Sequence, residues 1–278
     1  MGQDHQGGGA EARMSAARDL QGRVAWVCGA SGAIGKAVAT ALAREGATVV
    51  VSSRSGAALE ALASGLRQAH GGAARALAVD VTSREQVDAA AQRIAQEFGR
   101  IDMLVNSTAL SLFGDFLVLS DEDWLAVYQG KFFAYLRTIR AALPHMIRQH
   151  DGRIVNISGR GGHQPTMPVH LPGMSANAAV NLLTKGLANM YGNQGIRVNA
   201  VAPGPVASPR YDSILQVNRQ LQDAASHATK SEFNTAPTLN SQAQPEEIAD
   251  VVLFLLSDRS RLMTGTILQA DGGSTASL

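Results

Sequence analysis

Apolar runs of four to six residues alternate along the chain with longer stretches in which apolar residues return every three or four positions. Val24-Ala25-Trp26-Val27 is the first run, followed by Thr48–Val51, Ala74–Val79, Ile101–Val105, Gly152–Ile157, Ile196–Val201 and Gly265–Leu268. Runs of this length predict strands buried on both faces. Between them Ile34, Val38, Ala41 and Leu42 recur at helical spacing. So do Leu59, Leu62 and Leu66, and then Val87, Ala90, Ala91, Ile94 and Phe98. The pattern predicts further helices from Asp121 through Tyr128 and Phe132 towards Met146, over Ala176–Tyr191, and from Pro245 with Ile248, Val251, Val252 and Leu255 buried. Their ends are marked: Gly46, Gly71 and Gly99 stop helices, Thr82 with Glu85 reads as a capping box, and Ser120 precedes acidic residues suited to a first turn.

Strands alternating with helices predict an α/β fold, a Rossmann-like doubly wound parallel β-sheet with helices on both faces. Ligands of such sheets bind beyond the C-terminal strand ends, where strand order reverses. That rule gathers Gly29–Gly35, Asp80, Asn106–Ala109, Ser158–Gly162 and Pro203–Ser208 around one cleft. Residues 21–278 are expected to form one domain, and residues 1–20, rich in Gly, Ala and Gln, a flexible tail. The polar stretch 208–244, with Pro209 and Pro237 and little periodicity, is expected to be a substrate lid.

Composition narrows the picture. At 278 residues the chain is long enough for one large core, and its 45% hydrophobic and 17% charged content is ordinary for a globular protein. A net charge of +1 points to neither a nucleic acid nor an anionic membrane as partner. The single cysteine, Cys28, excludes an internal disulfide, and with no long apolar span or leader pattern a cytoplasmic location is expected. No cluster of His, Cys, Asp and Glu has metal-ligand spacing, so no metal is expected.

The first candidate chemistry is the turn after the first strand. Gly29, Gly32 and Gly35, with Ser31 and Ile34 between them, lie between a strand and a helix that a second strand follows. In such a unit one glycine makes the tight turn, one admits a pyrophosphate, and one lets the helix pack close, while the helix N-terminus offers unpaired N–H groups. The second strand ends at Ser52-Ser53-Arg54 with no acid to hold a ribose 2′-hydroxyl. Arg54 instead suits a 2′-phosphate, so NADP(H) is preferred over NAD(H).

The spacing Gly29-x-x-Gly32-x-x-Gly35 resembles the glycine motif of the short-chain dehydrogenase/reductase family, with Cys28 where threonine is usual. The resemblance extends from Gly22 to Gly273. Asp80-Val81 resembles the adenine-contacting pair. Asn106-Ser107-Thr108-Ala109 resembles the Asn-Asn-Ala-Gly motif with its first residue kept. Pro203-Gly204-Pro205-Val206-Ala207-Ser208 resembles the segment that holds the nicotinamide amide, and Asp271-Gly272-Gly273 the C-terminal signature. The resemblance implies an oxidoreductase acting on a small molecule, assembled as a dimer or tetramer. Leu136, Ile139 and Leu143 with Val180, Leu183 and Leu187 would supply apolar faces for the assembly or for the core.

The family's Asn, Ser, Tyr and Lys tetrad is absent. Counting from Trp124 and from the helix ending Leu183–Ala188, the matching positions are Lys131, Gly159, Gly173 and Asn177; a slip of one residue would bring in Ser158. Gly173 has no proton to give. Lys131, His163 and His170 are the candidate catalytic groups, with Arg160 as an anion binder and Tyr211 as a further donor. Lys131 would either return an ammonium to the cleft, where Asn177 has replaced the ribose-holding lysine, or snorkel to solvent. Three readings stay open: a divergent NADP(H)-dependent oxidoreductase, an isomerase or lyase on the same fold, and a silent nucleotide-binding subunit.

Overall fold

Most of the apolar runs become strands because their residues are covered on both sides; the two edge runs are only partly buried. In the computed structural model, which describes residues 20–110, 112–224, 239 and 242–275, the chain order is β1 (Val24–Cys28), α1 (Ala33–Arg44), β2 (Thr48–Ser53), α2 (Gly56–His70), β3 (Ala74–Ala78), α3 (Arg84–Phe98) and β4 (Met103–Asn106). Then come α4 (Asp121–Tyr128), a π-turn (Gln129–Phe133), α5 (Ala134–Gln149), β5 (Gly152–Ile157), α6 (Leu171–Tyr191), β6 (Ile196–Pro203), α7 (Pro209–Ala224), α8 (Pro245–Leu256) and β7 (Ile267–Ala270). The strands form one parallel sheet in the order β3-β2-β1-β4-β5-β6-β7. One face packs on α1, α2 and α8 and the other on α3, α5 and α6, so the core lies in two layers as expected. Strand order reverses between β1 and β4, which opens the cleft there.

Several boundaries differ from the pattern's expectation. Ser83, not Thr82, caps α3, accepting from the Gln86 N–H at 3.3 Å. Thr82 is taken up by Asp80 instead. The helix from Asp121 is interrupted by the π-turn, where the freed Gly130 carbonyl accepts from the Thr108 hydroxyl at 3.1 Å. Helix α6 starts at Leu171, ahead of Ala176, since Pro172 sits in its first turn, where no N–H is needed. The last strand begins at Ile267 rather than Gly265.

The stretch 208–224 is not a loop: Ser208 accepts from the Tyr211 N–H at 3.2 Å and starts α7. The expected lid over 225–238, 240 and 241, and the expected tail over 1–19, lie outside the described residues. Leu20, placed in that tail, is buried and donates to the Glu45 carbonyl at 3.2 Å. Ile139, Leu143 and Val180 belong to the core, and Leu136, Leu183 and Leu187 are half-buried beside it. The exposed large apolar residues of α6 are Leu171, Leu182 and Met190. No helix among the described residues is long and apolar enough to cross a membrane.

Candidate active site

The glycine turn is built by close approach. Gly29 has φ +80°, and a Cβ there would lie 2.6 Å from the Ser107 carbonyl oxygen. A Cβ on Gly35 would lie 2.4 Å from the Gly29 oxygen, so α1 seats against the turn only without one. Gly32 is the N-cap of α1 and offers no capping side chain, which leaves the first-turn N–H groups facing the cleft.

Two cavities join along the C-terminal edge of the sheet, sharing Gly32, Ser107, Thr108, Ala109 and Leu110. The first is lined by Ser31, Ser53, Arg54, Asp80 and Val81. The Asp80 carboxylate accepts from the Thr82 N–H at 2.9 Å and hydroxyl at 2.8 Å. Those bonds, with Arg54 and Arg137 nearby, hold it below the usual carboxylate range. Ser53 Oγ is buried without a hydrogen-bond partner.

The second cavity is lined by Ile34, Lys131, Tyr135, Ser158, Gly159, His170, Gly173 and Asn177, with Pro203, Gly204, Val206, Ser208 and Tyr211 opposite. A Cβ on Gly204 would lie 2.8 Å from the Asp271 Cα, which fixes that segment against the C-terminal signature. Lys131 does not snorkel: it is 7% exposed, and its Nζ donates to the carbonyls of Ile157 at 2.8 Å and Ser158 at 3.2 Å. Its place on the π-turn aims it inward. Tyr135, one turn on, bonds the same Ile157 carbonyl at 2.8 Å, and Nζ lies 5.2 Å from its ring centroid. Sequence reasoning missed Tyr135, although its spacing from Lys131 was the available signal.

The positions expected for the tetrad interlock in pairs. A Cβ on Gly173 would lie 2.2 Å from Cε1 and Nε2 of His170, and one on Gly159 would lie 2.8 Å from Asn177 Nδ2. Each glycine therefore makes room for a neighbouring side chain. Asn177 Oδ1 is buried without a partner. The His170 ring stacks on Phe113 with centroids 4.5 Å apart, and its Nδ1 lies 3.3 Å from the Leu112 carbonyl oxygen.

The remaining expected residues are placed as follows by the fold. Asn106 lines neither cavity: it is fully buried, donating to Asn156 Oδ1 at 3.0 Å and accepting from Thr138 at 2.7 Å. Its inward side chain braces β4 against β5. His163 is exposed outside the cleft. Ser158 donates to the Val201 carbonyl at 3.3 Å. Arg160 is buried, and burial holds its guanidinium below its usual range against the opposing pull of Tyr211 and Asp271. No group of His, Cys, Asp and Glu among the described residues could hold a metal.

A doubly wound sheet with a glycine turn at its switch point defines a dinucleotide-binding protein. Unpartnered polar atoms in both halves of the cleft, Ser53 Oγ and Asn177 Oδ1, fit a long polar ligand such as a nicotinamide dinucleotide. The comparisons with known proteins name the class more closely. Residues 29–275 match the family model described as enoyl-(acyl carrier protein) reductase. The chain is 36% identical over 256 residues to the oxidoreductase UcpA of Salmonella typhimurium, covering 92% of this chain and 95% of that one. L-sorbose reductase from Gluconobacter frateurii, solved with NADPH and L-sorbose, is 27% identical with a TM-score of 0.84, covering 94% of this chain and all (100%) of that one. An NADPH-bound short chain oxidoreductase from Pseudomonas aeruginosa PAO1, described as containing an atypical catalytic center, is 30% identical with a TM-score of 0.83, covering 94% and 99%. The chain belongs to the short-chain dehydrogenase/reductase family, a family of NAD(P)-dependent oxidoreductases.

Proposed function

We propose that this protein is an NADP(H)-dependent oxidoreductase of small carbonyl or hydroxyl compounds in which the usual Asn, Ser, Tyr and Lys are replaced by Lys131, Gly159, Gly173 and Asn177. The observation that carries the reading is the pair of unpartnered atoms in a cleft whose second strand ends in Arg54 rather than an acid. The NADPH in two similar structures, one with an atypical catalytic center, supports it.

The α1 N-terminus and Ser31 would face the pyrophosphate, and Asp80-Val81 the adenine. Ser53 and Arg54 would hold the 2′-phosphate, with a charge-assisted fork that an acid would repel. Asn177 Oδ1 would accept from a ribose hydroxyl, and Pro203–Ser208 would flank the carboxamide. Bound there, the nicotinamide supplies or accepts a hydride. Lys131 would return an amine to the same cavity, tied to the end of β5 rather than projecting from α6. The exposed Leu125 of α4 and Leu182 and Met190 of α6 are available to a second copy of the chain in a homo-oligomer.

Titration with NADPH and NADH, followed by nicotinamide fluorescence, tests the reading. Tight NADPH binding is expected, with Arg54→Ala raising its Kd about 10- to 100-fold and leaving NADH unchanged. Binding of neither nucleotide would overturn it.

A further inference from the structure

We infer that His170 is the proton-transferring group of this active site, its imidazole filling the space that a side chain at position 173 would occupy. The inference rests on the oxidoreductase reading above. Its basis is steric: any Cβ at residue 173 would lie 2.2 Å from two atoms of the ring. His170 closes the 3₁₀ turn Pro168–His170 that leads into α6. It sits three residues ahead of Gly173, on the same helical face, and shares the cavity wall with Lys131, Gly159 and Asn177.

The ring is held for the task. Phe113 stacks on it at an interplanar angle of 29°, and the Leu112 carbonyl meets Nδ1. A carbonyl only accepts, so that contact assigns the proton to Nδ1, and the exchange is assigned to Nε2, the atom against Gly173. Among the described residues, the groups facing this side of the cleft include Phe113 and the Leu112 carbonyl from the β4–α4 loop, Lys131 from the π-turn and Tyr211 from α7. Among the described lining residues there is no Asp or Glu. Burial pushes the Tyr211 phenol above its usual range, with Arg160 opposing, which makes it a poor donor near neutral pH.

In the reducing direction the imidazolium Nε2–H bond breaks and an O–H bond forms on the substrate oxygen as the carbonyl π pair moves onto it. The carbonyl carbon gains its C–H bond and two electrons from NADPH, which is oxidised. The imidazole, left neutral, takes a proton back from solvent. The oxidising direction is the reverse.

The experiment uses the full chain with NADPH and 2,3-butanedione as a dicarbonyl probe, measuring kcat against pH and NADPH affinity for the wild type, His170→Gln and Gly173→Ala. Wild-type kcat should fall as pH rises and the imidazolium is lost. His170→Gln should lose about 10²- to 10⁴-fold in kcat and lose that pH dependence, with the NADPH Kd unchanged. Gly173→Ala keeps the imidazole but displaces it, and should lower kcat without abolishing the pH dependence. An unaltered kcat or pH profile in His170→Gln, or a wild type that binds NADPH without reducing the probe, overturns the inference. Failure to bind either nucleotide overturns the oxidoreductase reading instead.

Discussion

The two edges of the sheet are both polar, yet they are built on opposite principles. At the N-terminal edge charge is paired. Asp102, 1% exposed, accepts from the Val24 N–H at 2.8 Å and from Arg23 and Arg100 at 3.1 and 2.8 Å. Arg153 joins the Leu256 carbonyl to Asp258 at 2.6 and 2.7 Å, and Arg197 gathers the carbonyls of Leu255 and Ser257 at the end of α8. These arginines satisfy carbonyls that a helix end leaves open. At the C-terminal edge glycines stand at 29, 32, 35, 159 and 173, and the buried oxygens of Ser53 and Asn177 have no partner. Polar groups that close one edge hold the fold. Polar atoms left open at the other line the proposed cofactor cleft.

Removing a member of the closed edge should therefore cost stability and spare binding. Asp102→Ala strips the partner of two arginines and a strand N–H, and should destabilise the protein by about 3–5 kcal/mol in urea unfolding. Its NADPH affinity, measured where the variant is still folded, should match the wild type. A weakened affinity there would mean that the edges are coupled through β1 and would break the comparison.

The opposite result is expected at Lys131. A methionine of similar length fills the buried site of Lys131, and the Ile157 carbonyl keeps its bond from Tyr135. Lys131→Met should shift stability by no more than about 1 kcal/mol while lowering kcat with 2,3-butanedione about 10²-fold. A loss of stability with unchanged turnover would move Lys131 to the structural side.

How much of this was legible in the sequence depended on whether a feature is periodic. Strands β1, β2, β4, β5 and β6 and the glycine turn were readable because burial on both faces favours apolar runs and close packing demands glycine; the edge strand β3 is partly exposed. Helix α7 was not, since half-exposed residues such as Tyr211 and Leu215 make no sustained stripe; Ser208 before Pro209 was its signal. The π-turn leaves no period of its own, so Lys131 was placed on a helix but its aim was undetermined. Asn106 reads as a cofactor residue from its motif, but strand alternation turns its side chain into the sheet. The exchange of a ring for a side chain between His170 and Gly173 is written in two residues three apart, yet only geometry separates His170 from the exposed His163.

Adjacent serines on β2 give the finest test, because alternation sends them to opposite duties. Ser52 Oγ, fully buried, accepts from Trp26 Nε1 at 2.9 Å, so Ser52→Ala orphans an indole N–H. That change should cost about 1–3 kcal/mol of stability and leave nucleotide affinity unaltered. Ser53 Oγ has no partner to lose. Ser53→Ala should leave the unliganded protein equally stable, or steadier by about 1 kcal/mol, because a buried unsatisfied hydroxyl is gone. Its NADPH Kd should rise about fivefold, the net worth of one hydrogen bond to a ligand. Thermal melts with and without NADPH measure both effects at once: Ser53→Ala should melt at or above the wild type alone and show a smaller shift on adding nucleotide. If the ligand-induced shift is full-sized, Ser53 is not a contact, and the 2′-phosphate rests on Arg54 alone.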